Sequence, residues 1–136
     1  MVTLIGMGSG RWEALSVQAQ DAVRRAGLVF GAKRLLAGLP PECTARQFAL
    51  YQPAEILETL AQAPGQDAAV LYSGDTGFYS GASGLLTPLR ALGIPARVYP
   101  GVSSIQLLAA ALGRPWQDWK LVSAHGCACD PVAQCM

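Results

Sequence analysis

The chain is predicted to have an α/β fold: one doubly wound, mostly parallel sheet with helices on both faces. Short apolar segments that resemble strands alternate along the 136 residues with segments of helical periodicity, which is typical of parallel strands joined by crossover helices. Three of the strands run straight into loops of glycine and small polar residues, after Ile5, Tyr72 and Tyr99. Because the carboxyl ends of parallel strands share one sheet edge, we expect these loops to line one ligand crevice.

The first strand and helix are predicted from burial and periodicity. Val2–Ile5 is an apolar stretch of strand length, and Ser16–Ala26 has the spacing of an amphipathic helix that ends at Gly27. The residues expected on the buried side of this helix are Val17, Ala19, Ala22, Val23 and Ala26.

The middle of the chain repeats the alternation with weaker signals. Leu28–Phe30 is predicted to be the second strand, Ala32–Leu36 a helical turn, and Gln47–Leu50 a third short strand. Pro53 is placed where the first turn of a helix accepts proline. The apolar residues predicted for that helix are Ile56, Leu57 and Leu60.

The last part supplies the strands that open into loops. Ala68–Tyr72 and Ala96–Tyr99 are predicted strands, followed by predicted helices at Ser80–Leu92 and Val102–Leu112. Lys120–Val122 is predicted to be a sixth short strand. One compact domain is expected, since this length holds one core and hardly two.

Composition argues against several classes of partner. The net charge is +1, 51% of the residues are hydrophobic and 14% are charged, so no basic surface for nucleic acid is expected. The sequence has no apolar run near the roughly 20 residues that cross a bilayer, and Met1–Leu4 does not have the features of a signal peptide. We therefore expect no membrane partner and a cytoplasmic location.

A histidine and three cysteines crowd the end of the chain: His125, Cys127, Cys129 and Cys135. Thiolates and imidazole are ligands that zinc prefers, but a Cys-x-Cys pair at a terminus matches no common closed zinc site. Reduced cysteines in an irregular tail are the alternative, and we predict that no metal is bound. A disulfide framework is not expected in a cytoplasmic protein.

The first glycine loop has the pattern Gly6-x-Gly8-x-Gly10. The dinucleotide fingerprint requires another glycine three residues after the second and a helix that starts at once, whereas the next helix here is expected only at Ser16. The pattern therefore favours a ligand loop that is not a pyrophosphate cradle. A plain tight turn remains the alternative.

The second and third loops carry polar side chains at strand ends. In Ser73-Gly74-Asp75, the aspartate is positioned to accept hydrogen bonds from a ligand, with helix capping as the alternative. Either Ser103 or Ser104 is expected to cap the following helix, where the first helical amides are also available to a ligand. His125 is a candidate for proton transfer or merely a loop residue, and no catalytic residue is assigned.

Five segments, in this order, resemble the tetrapyrrole (corrin/porphyrin) methyltransferase family, and within it the precorrin-6Y (cobalt-precorrin-7) C(5) branch of cobalamin biosynthesis. They are Gly6–Gly10, Phe30–Leu36, Ser73–Ser80, Pro100–Gln106 and Ser123–Gly126. Two positions depart from the family pattern. The family loop usually has proline at Ser9, and Cys127 stands where the branch typically continues with arginine.

The resemblance implies an enzyme that transfers a methyl group from S-adenosylmethionine to a ring carbon of a precorrin. The cofactor contacts that it implies are Gly8, Ser9, Ser73, Gly74, Asp75, Phe78, Ser103 and Ser104. Arg11 and His125 are candidate contacts to the tetrapyrrole substrate, Arg11 because a guanidinium pairs well with carboxylates.

The resemblance also implies two lobes with the cofactor between them. Residues 1–126 are expected to form the N-terminal lobe and residues 127–136 an atypical tail, so that the chain alone is inactive. A homodimer is expected. The alternatives are a non-catalytic lobe that serves as a binding or dimerisation module, and a nicotinamide-dependent oxidoreductase suggested by the first glycine loop.

Overall fold

A computed structural model describes residues 1–78 and 80–123 of the chain. In these residues strands and helices alternate, with a 3-10 turn at Trp12–Ala14. The strands are β1 Val2–Gly6, β2 Leu28–Phe30, β3 Arg46–Phe48, β4 Ala68–Tyr72 and β5 Ala96–Tyr99. The helices are α1 Val17–Arg25, α2 Lys33–Leu36, α3 Pro53–Ala61, α4 Ala82–Ala91 and α5 Ser104–Leu112.

The five strands form one sheet in the order β3-β2-β4-β1-β5, and every pair is parallel. β1, β2 and β4 are buried almost throughout because they are covered on both faces, whereas the edge strands β3 and β5 are partly exposed. The predicted α/β class with a parallel sheet is confirmed.

Two apolar layers enclose the sheet. On one face Ile5, Val29 and Leu71 pack with Ala19 and Val23 of α1. On the other face the sheet residues pack against α3 and α4, and the members of this layer include Leu4, Phe30, Val70, Ile56, Leu85 and Leu89. Alternation of side chains along each strand explains why neighbouring residues such as Leu4 and Ile5 belong to opposite layers.

The chain segments that leave β1 and β4 determine where the crevice lies. These strands are neighbours, yet β1 leads to α1 on one face and β4 leads to α4 on the other. Diverging connections at the carboxyl ends of adjacent parallel strands create the position at which open α/β sheets bind ligands. The predicted location of the crevice therefore follows from the topology.

The sequence explains most helix boundaries. The hydroxyl of Ser16 accepts a hydrogen bond from the Ala19 N–H at 3.2 Å and caps α1. Pro53 is the first residue of α3, where its missing N–H has no helical partner to lose.

Several predicted boundaries are corrected. The third strand is Arg46–Phe48, α4 begins at Ala82, and α5 begins at Ser104. Lys120–Val122 forms no strand, and within residues 1–78 and 80–123 it has no ladder partner to satisfy its backbone groups. Val17 is 71% exposed and does not belong to the buried side of α1, since it is the first helical residue and lies beyond the sheet contact.

The chain divides into two compact units, Met1–Ser104 and a second that begins at Ile105. The first contains the whole sheet with α1 to α4. In the second, α5 ends at Leu112 and is followed by Gly113 with φ of +65°, the conformation that commonly terminates helices.

Candidate functional site

The loops after β1 and β4 are joined by their main chains at the carboxyl edge of the sheet. The Gly8 N–H donates to the Gly74 carbonyl at 3.1 Å, and the Gly74 N–H donates to the Gly8 carbonyl at 3.0 Å. Gly8 and Gly74 have φ values of +59° and +66°, which a residue with a Cβ adopts only with strain. Glycine at both positions therefore permits the bridge.

The loop after β5 joins the same junction through two further glycines. A Cβ on Gly6 would lie 2.6 Å from the Gly101 nitrogen and 2.8 Å from the Gly74 carbonyl oxygen. A Cβ on Gly101 would lie 2.2 Å from the same Gly74 oxygen. The three loops thus meet backbone against backbone, at a separation that only glycine allows.

Asp75 links the second and third loops through its carboxylate. Oδ1 accepts a hydrogen bond from the Gly101 N–H at 3.1 Å, and Oδ2 accepts one from the Gly77 N–H at 3.2 Å. Helix capping is not its role, since α4 begins at Ala82 and the Ala82 N–H bonds to the hydroxyl of Ser80 instead. The alternative of a cap at Asp75 is therefore wrong.

The serines and the aromatic residue of the predicted site differ in burial. Ser103 is buried at the residue before α5, while Ser104 is exposed as the first residue of that helix. Ser73 is exposed beside Gly74. Phe78 is half-buried, and its N–H donates to the Asp75 carbonyl at 3.4 Å.

Ser9 and Arg11 lie at the outer rim of the first loop. Ser9 is exposed between Gly8 and Gly10. The side chain of Arg11 is 77% exposed and lies 3.9 Å from the carboxylate of Glu13. An exposed guanidinium of this kind is free to reorient toward an anionic ligand, and the pair with Glu13 contributes little because water screens it.

Tyr72 is a feature of the site that the sequence did not indicate. It is the last residue of β4, and burial raises the pKa of its phenol to about 12. Within residues 1–78 and 80–123 its buried hydroxyl has no hydrogen-bond partner. Its position one residue before Ser73 was the only sequence signal that could have pointed to it. The sequence does not show that its hydroxyl is buried, because packing determines where the hydroxyl lies.

The structure brings together a subset of the predicted site residues: Gly8, Gly74, Asp75 and Ser103, the last with its Cα 3.9 Å from the Cβ position of Gly74. Among the described residues, the side chains of Ser9, Ser73 and Arg11 form no hydrogen bond or ion pair with this junction. His125 and Cys127, Cys129 and Cys135 lie outside the described residues. Gly6 and Gly101 complete the junction.

This arrangement can hold a ligand mainly by shape and by main-chain groups. A parallel α/β sheet with glycine loops merged over its carboxyl edge defines a ligand-binding α/β domain of the kind that many transferases use. The chain belongs to the family of Tetrapyrrole (Corrin/Porphyrin) Methylases, whose family model matches residues 1–134. The match extends eight residues past Gly126, where the predicted tail begins.

Curated relatives agree with this assignment. The chain is 34% identical over 128 residues to cobalt-precorrin-7 C(5)-methyltransferase of Salmonella typhimurium strain LT2, covering 93% of this chain and 62% of the relative. It is 34% identical over 120 residues to precorrin-4 C(11)-methyltransferase of Mycobacterium tuberculosis, covering 83% and 48%. The chain therefore spans about half to two thirds of the length of these relatives.

Solved structures share the fold. The methyltransferase CobJ matches with a TM-score of 0.71 at 27% identity, over 84% of this chain and 51% of that one. Uroporphyrin-III C-methyltransferase of Thermus thermophilus, complexed with S-adenyl homocysteine, matches with a TM-score of 0.66 at 27% identity, over 92% and 52%. In the residues described here, no helix is long and apolar enough to cross a membrane.

Proposed function

We propose that this chain provides the cofactor-binding part of an S-adenosylmethionine-dependent precorrin C-methyltransferase of cobalamin biosynthesis, acting at C(5). The observation that carries the proposal is the glycine junction, in which Gly8 bridges Gly74 and Asp75 bonds Gly101 at the carboxyl edge of a parallel sheet. Family membership and the relatives named as precorrin methyltransferases support it. The C(5) branch is proposed because the residues of the five matching segments resemble that branch.

The residues present fit a cofactor with an amino acid and a nucleoside part. A Cβ at Gly6 or Gly101 would collide with main-chain atoms, so the three loops meet through backbone amides and carbonyls. The exposed residues Ser9 and Ser73, next to Gly8 and Gly74, supply hydroxyl groups for polar ligand atoms. The proposed contacts are Gly8, Ser9, Ser73, Gly74, Phe78, Ser103 and Ser104, while the carboxylate of Asp75 bonds main-chain N–H groups of the junction.

The bound cofactor supplies an electrophilic methyl group on a sulfonium. The protein's own part is to align the two reactants and to exclude water, and alignment alone lowers a barrier by as much as about 7–11 kcal/mol in favourable cases. The hydrogen bonds between Gly8 and Gly74 hold the first two loops together at this side of the crevice. Arg11 and His125 are proposed to pair with carboxylates of the tetrapyrrole.

We further propose that residues 1–126 form a lobe distinct from residues 127–136, and that these 136 residues bind the cofactor without methylating a precorrin. The resemblance implies a cofactor enclosed between two lobes, and an open crevice loses water exclusion. Detectable turnover of a precorrin by the 136-residue chain would contradict this part of the proposal.

Calorimetric titration with S-adenosylhomocysteine tests the cofactor site, with two glycine variants as a matched pair. Gly8 and Gly65 both have positive φ, +59° and +80°, so alanine strains the backbone at either position. Only Gly8 is in the crevice, where its Cβ would lie 3.5 Å from the Val102 nitrogen, whereas Gly65 has open space. We expect Gly8→Ala to weaken binding about tenfold or more, which corresponds to a loss of about 1.4 kcal/mol of binding free energy. Gly65→Ala should leave binding unchanged.

Equal effects of the two substitutions, or no binding by the unmodified chain, would contradict the proposed site. Fluorescence titration with NADH separates the nicotinamide alternative, since saturable binding of NADH without binding of S-adenosylhomocysteine would favour an oxidoreductase.

A non-catalytic binding or dimerisation module is the second candidate. The observation that favours it is the exposed apolar surface of α5, where Leu107, Leu108 and Leu112 are 47%, 50% and 55% exposed. Contiguous apolar residues on a helix surface commonly mark a protein contact. Self-association without binding of S-adenosylhomocysteine would support this candidate over the enzyme.

A further inference from the structure

The carboxylate of Asp75 joins two segments that are far apart in the chain. Oδ1 accepts from the N–H of Gly101, 26 positions later, and Oδ2 accepts from the N–H of Gly77 within its own loop. Hydrogen bonds from N–H groups to an ionised carboxylate are among the stronger ones in proteins. Each oxygen is thereby directed at a main-chain donor.

The topology makes this link necessary for the shape of the crevice. β4 and β5 are not neighbours, because β1 lies between them in the sheet. The loops that follow β4 and β5 therefore have no strand ladder in common. Asp75 ties them together across the end of β1.

The two glycines under this link show how closely it holds the loops. The Cβ positions of Gly6 and Gly101 both lie within 3 Å of the Gly74 carbonyl oxygen. Ser103, two residues past Gly101, has its Cα 3.9 Å from the Cβ position of Gly74. A displacement of Gly101 would move Ser103 away from Gly74.

We infer that Asp75 is a positioning residue: it acts through the Gly101 amide to hold the Pro100–Ser103 loop against the end of β4, and it thereby sets the separation of Gly74 and Ser103. This inference rests on the proposed function and deepens it. It differs from the direct cofactor contact that the resemblance implies for Asp75.

The first test uses proton and nitrogen NMR of the full chain without ligand. An amide proton bonded to a carboxylate moves when that acceptor loses its charge, so the Gly101 and Gly77 amides are both expected to shift in Asp75→Asn. Asp67→Asn is the matched control, since Asp67 precedes the same strand at its other end and pairs with the Met1 ammonium at 3.3 Å.

The same spectra of Asp75→Ala are expected to show shifted amides at Gly101, Val102 and Ser103. A Gly101 amide that stays in place in Asp75→Asn, or unchanged amides at 101–103 in Asp75→Ala, would overturn the inference. Both outcomes are read without cofactor, so they do not depend on whether the proposed function is correct.

The second test is a double-mutant cycle with S-adenosylhomocysteine as the probe. Gly101→Ala forces the loops apart through its contact with the Gly74 oxygen. We expect Asp75→Ala alone to weaken binding about five- to 150-fold, and to change it by no more than about twofold when Gly101 is already alanine. An undiminished loss in the Gly101→Ala background would show direct contact and overturn the inference.

Absence of binding in the unmodified chain would count against the proposed function alone. If Gly101→Ala by itself abolishes binding, the cycle gives no coupling, and the amide shifts at residues 101–103 test the inference instead. Shifts in Asp75→Ala that resemble those in Gly101→Ala would support it.

Discussion

Gly6 is one of the residues at which the three loops of the site meet. It ends β1, and the main chains of the other two loops occupy the space where its side chain would be. Neither neighbour can withdraw cheaply, because both contacts are with backbone atoms. A single methyl group at this position therefore affects three loops at once.

Gly6→Ala is expected to lower the free energy of unfolding by about 1–3 kcal/mol, because the added Cβ overpacks the junction. The matched control is Gly84→Ala in α4, where the Cβ has ordinary contact at 3.7 Å with Pro53 and alanine favours the helix by about 0.8–1.0 kcal/mol. Urea denaturation of both variants measures the difference. A Gly6→Ala protein as stable as the parent would show that the junction is looser than described.

The buried phenol of Tyr72 leads us to predict that the folded protein loses stability at alkaline pH. Burial raises the pKa of its phenol to about 12 from its ordinary value of 10. The folded state thus favours the neutral phenol, so its contribution is complete below pH 10 and is lost as the pH rises through 10 to 12. The shift corresponds to about 2–3 kcal/mol.

Tyr72→Phe serves as the reference, because it cannot ionise. The stability of the parent relative to this variant should fall between pH 10 and 12, as followed by denaturation at each pH. Near neutral pH we expect the variant to be at least as stable, since the buried hydroxyl lacks a partner among the described residues. Parallel pH profiles would contradict the assigned environment of Tyr72.

At the scale of single elements, burial decides what the sequence could predict. β1, β2 and β4 lie in the centre of the sheet, and their continuous apolar runs indicated them. The predicted meeting of the glycine loops followed from parallel strand ends. The prediction of a strand at Lys120–Val122 was wrong. A run of three apolar or amphipathic residues forms a strand only beside a partner strand, and the sequence alone does not show which segments pair.

The sequence predicted the loops that form the site but not the hydrogen bonds that join those loops. Glycines after strands indicated where the backbone comes close, but the Asp75–Gly101 bond joins residues 26 positions apart and depends on the order of the strands. The sequence could not give that order. Gly101 was therefore recognised as a loop glycine without its role as a donor to Asp75.

The cap of α1 gives a prediction for an element. Ser16→Ala removes the acceptor for the Ala19 N–H and should cost about 0.5–2 kcal/mol of stability. Ser83→Ala is the control, since Ser83 is exposed in the first turn of α4 and is not the N-cap residue, which is Gly81. Thermal denaturation should show a lower midpoint for the first variant only. A midpoint equal to the control would exclude a stabilising cap.

The whole molecule has apolar side chains on α5 that the described structure leaves exposed, and this leads to a prediction about assembly. We expect the chain to form a dimer, with light scattering giving twice the monomer mass. Leu108→Glu places a charge on that helix and should shift the mass to the monomer, because burial of an unpaired carboxylate is costly. Val17→Glu, at a residue that is 71% exposed on α1, should leave the dimer intact.

A parent chain that is monomeric at high concentration would contradict the expected dimer. Dissociation by both glutamate substitutions would instead indicate a general effect of added charge and not a contact at α5.

The strand order also has a consequence for the chain during its synthesis. β1 is made first, yet its two neighbours in the sheet, β4 and β5, begin only at residues 68 and 96. At typical rates of translation, an apolar N-terminal strand waits about 3–20 s for its partners to leave the ribosome. Until then it is a hydrophobic segment without a ladder, which is the kind of surface that chaperones bind. Slowing of ribosomes between codons 6 and 68 would lengthen this exposure, whereas the same delay once residue 99 has left the ribosome would find the sheet complete.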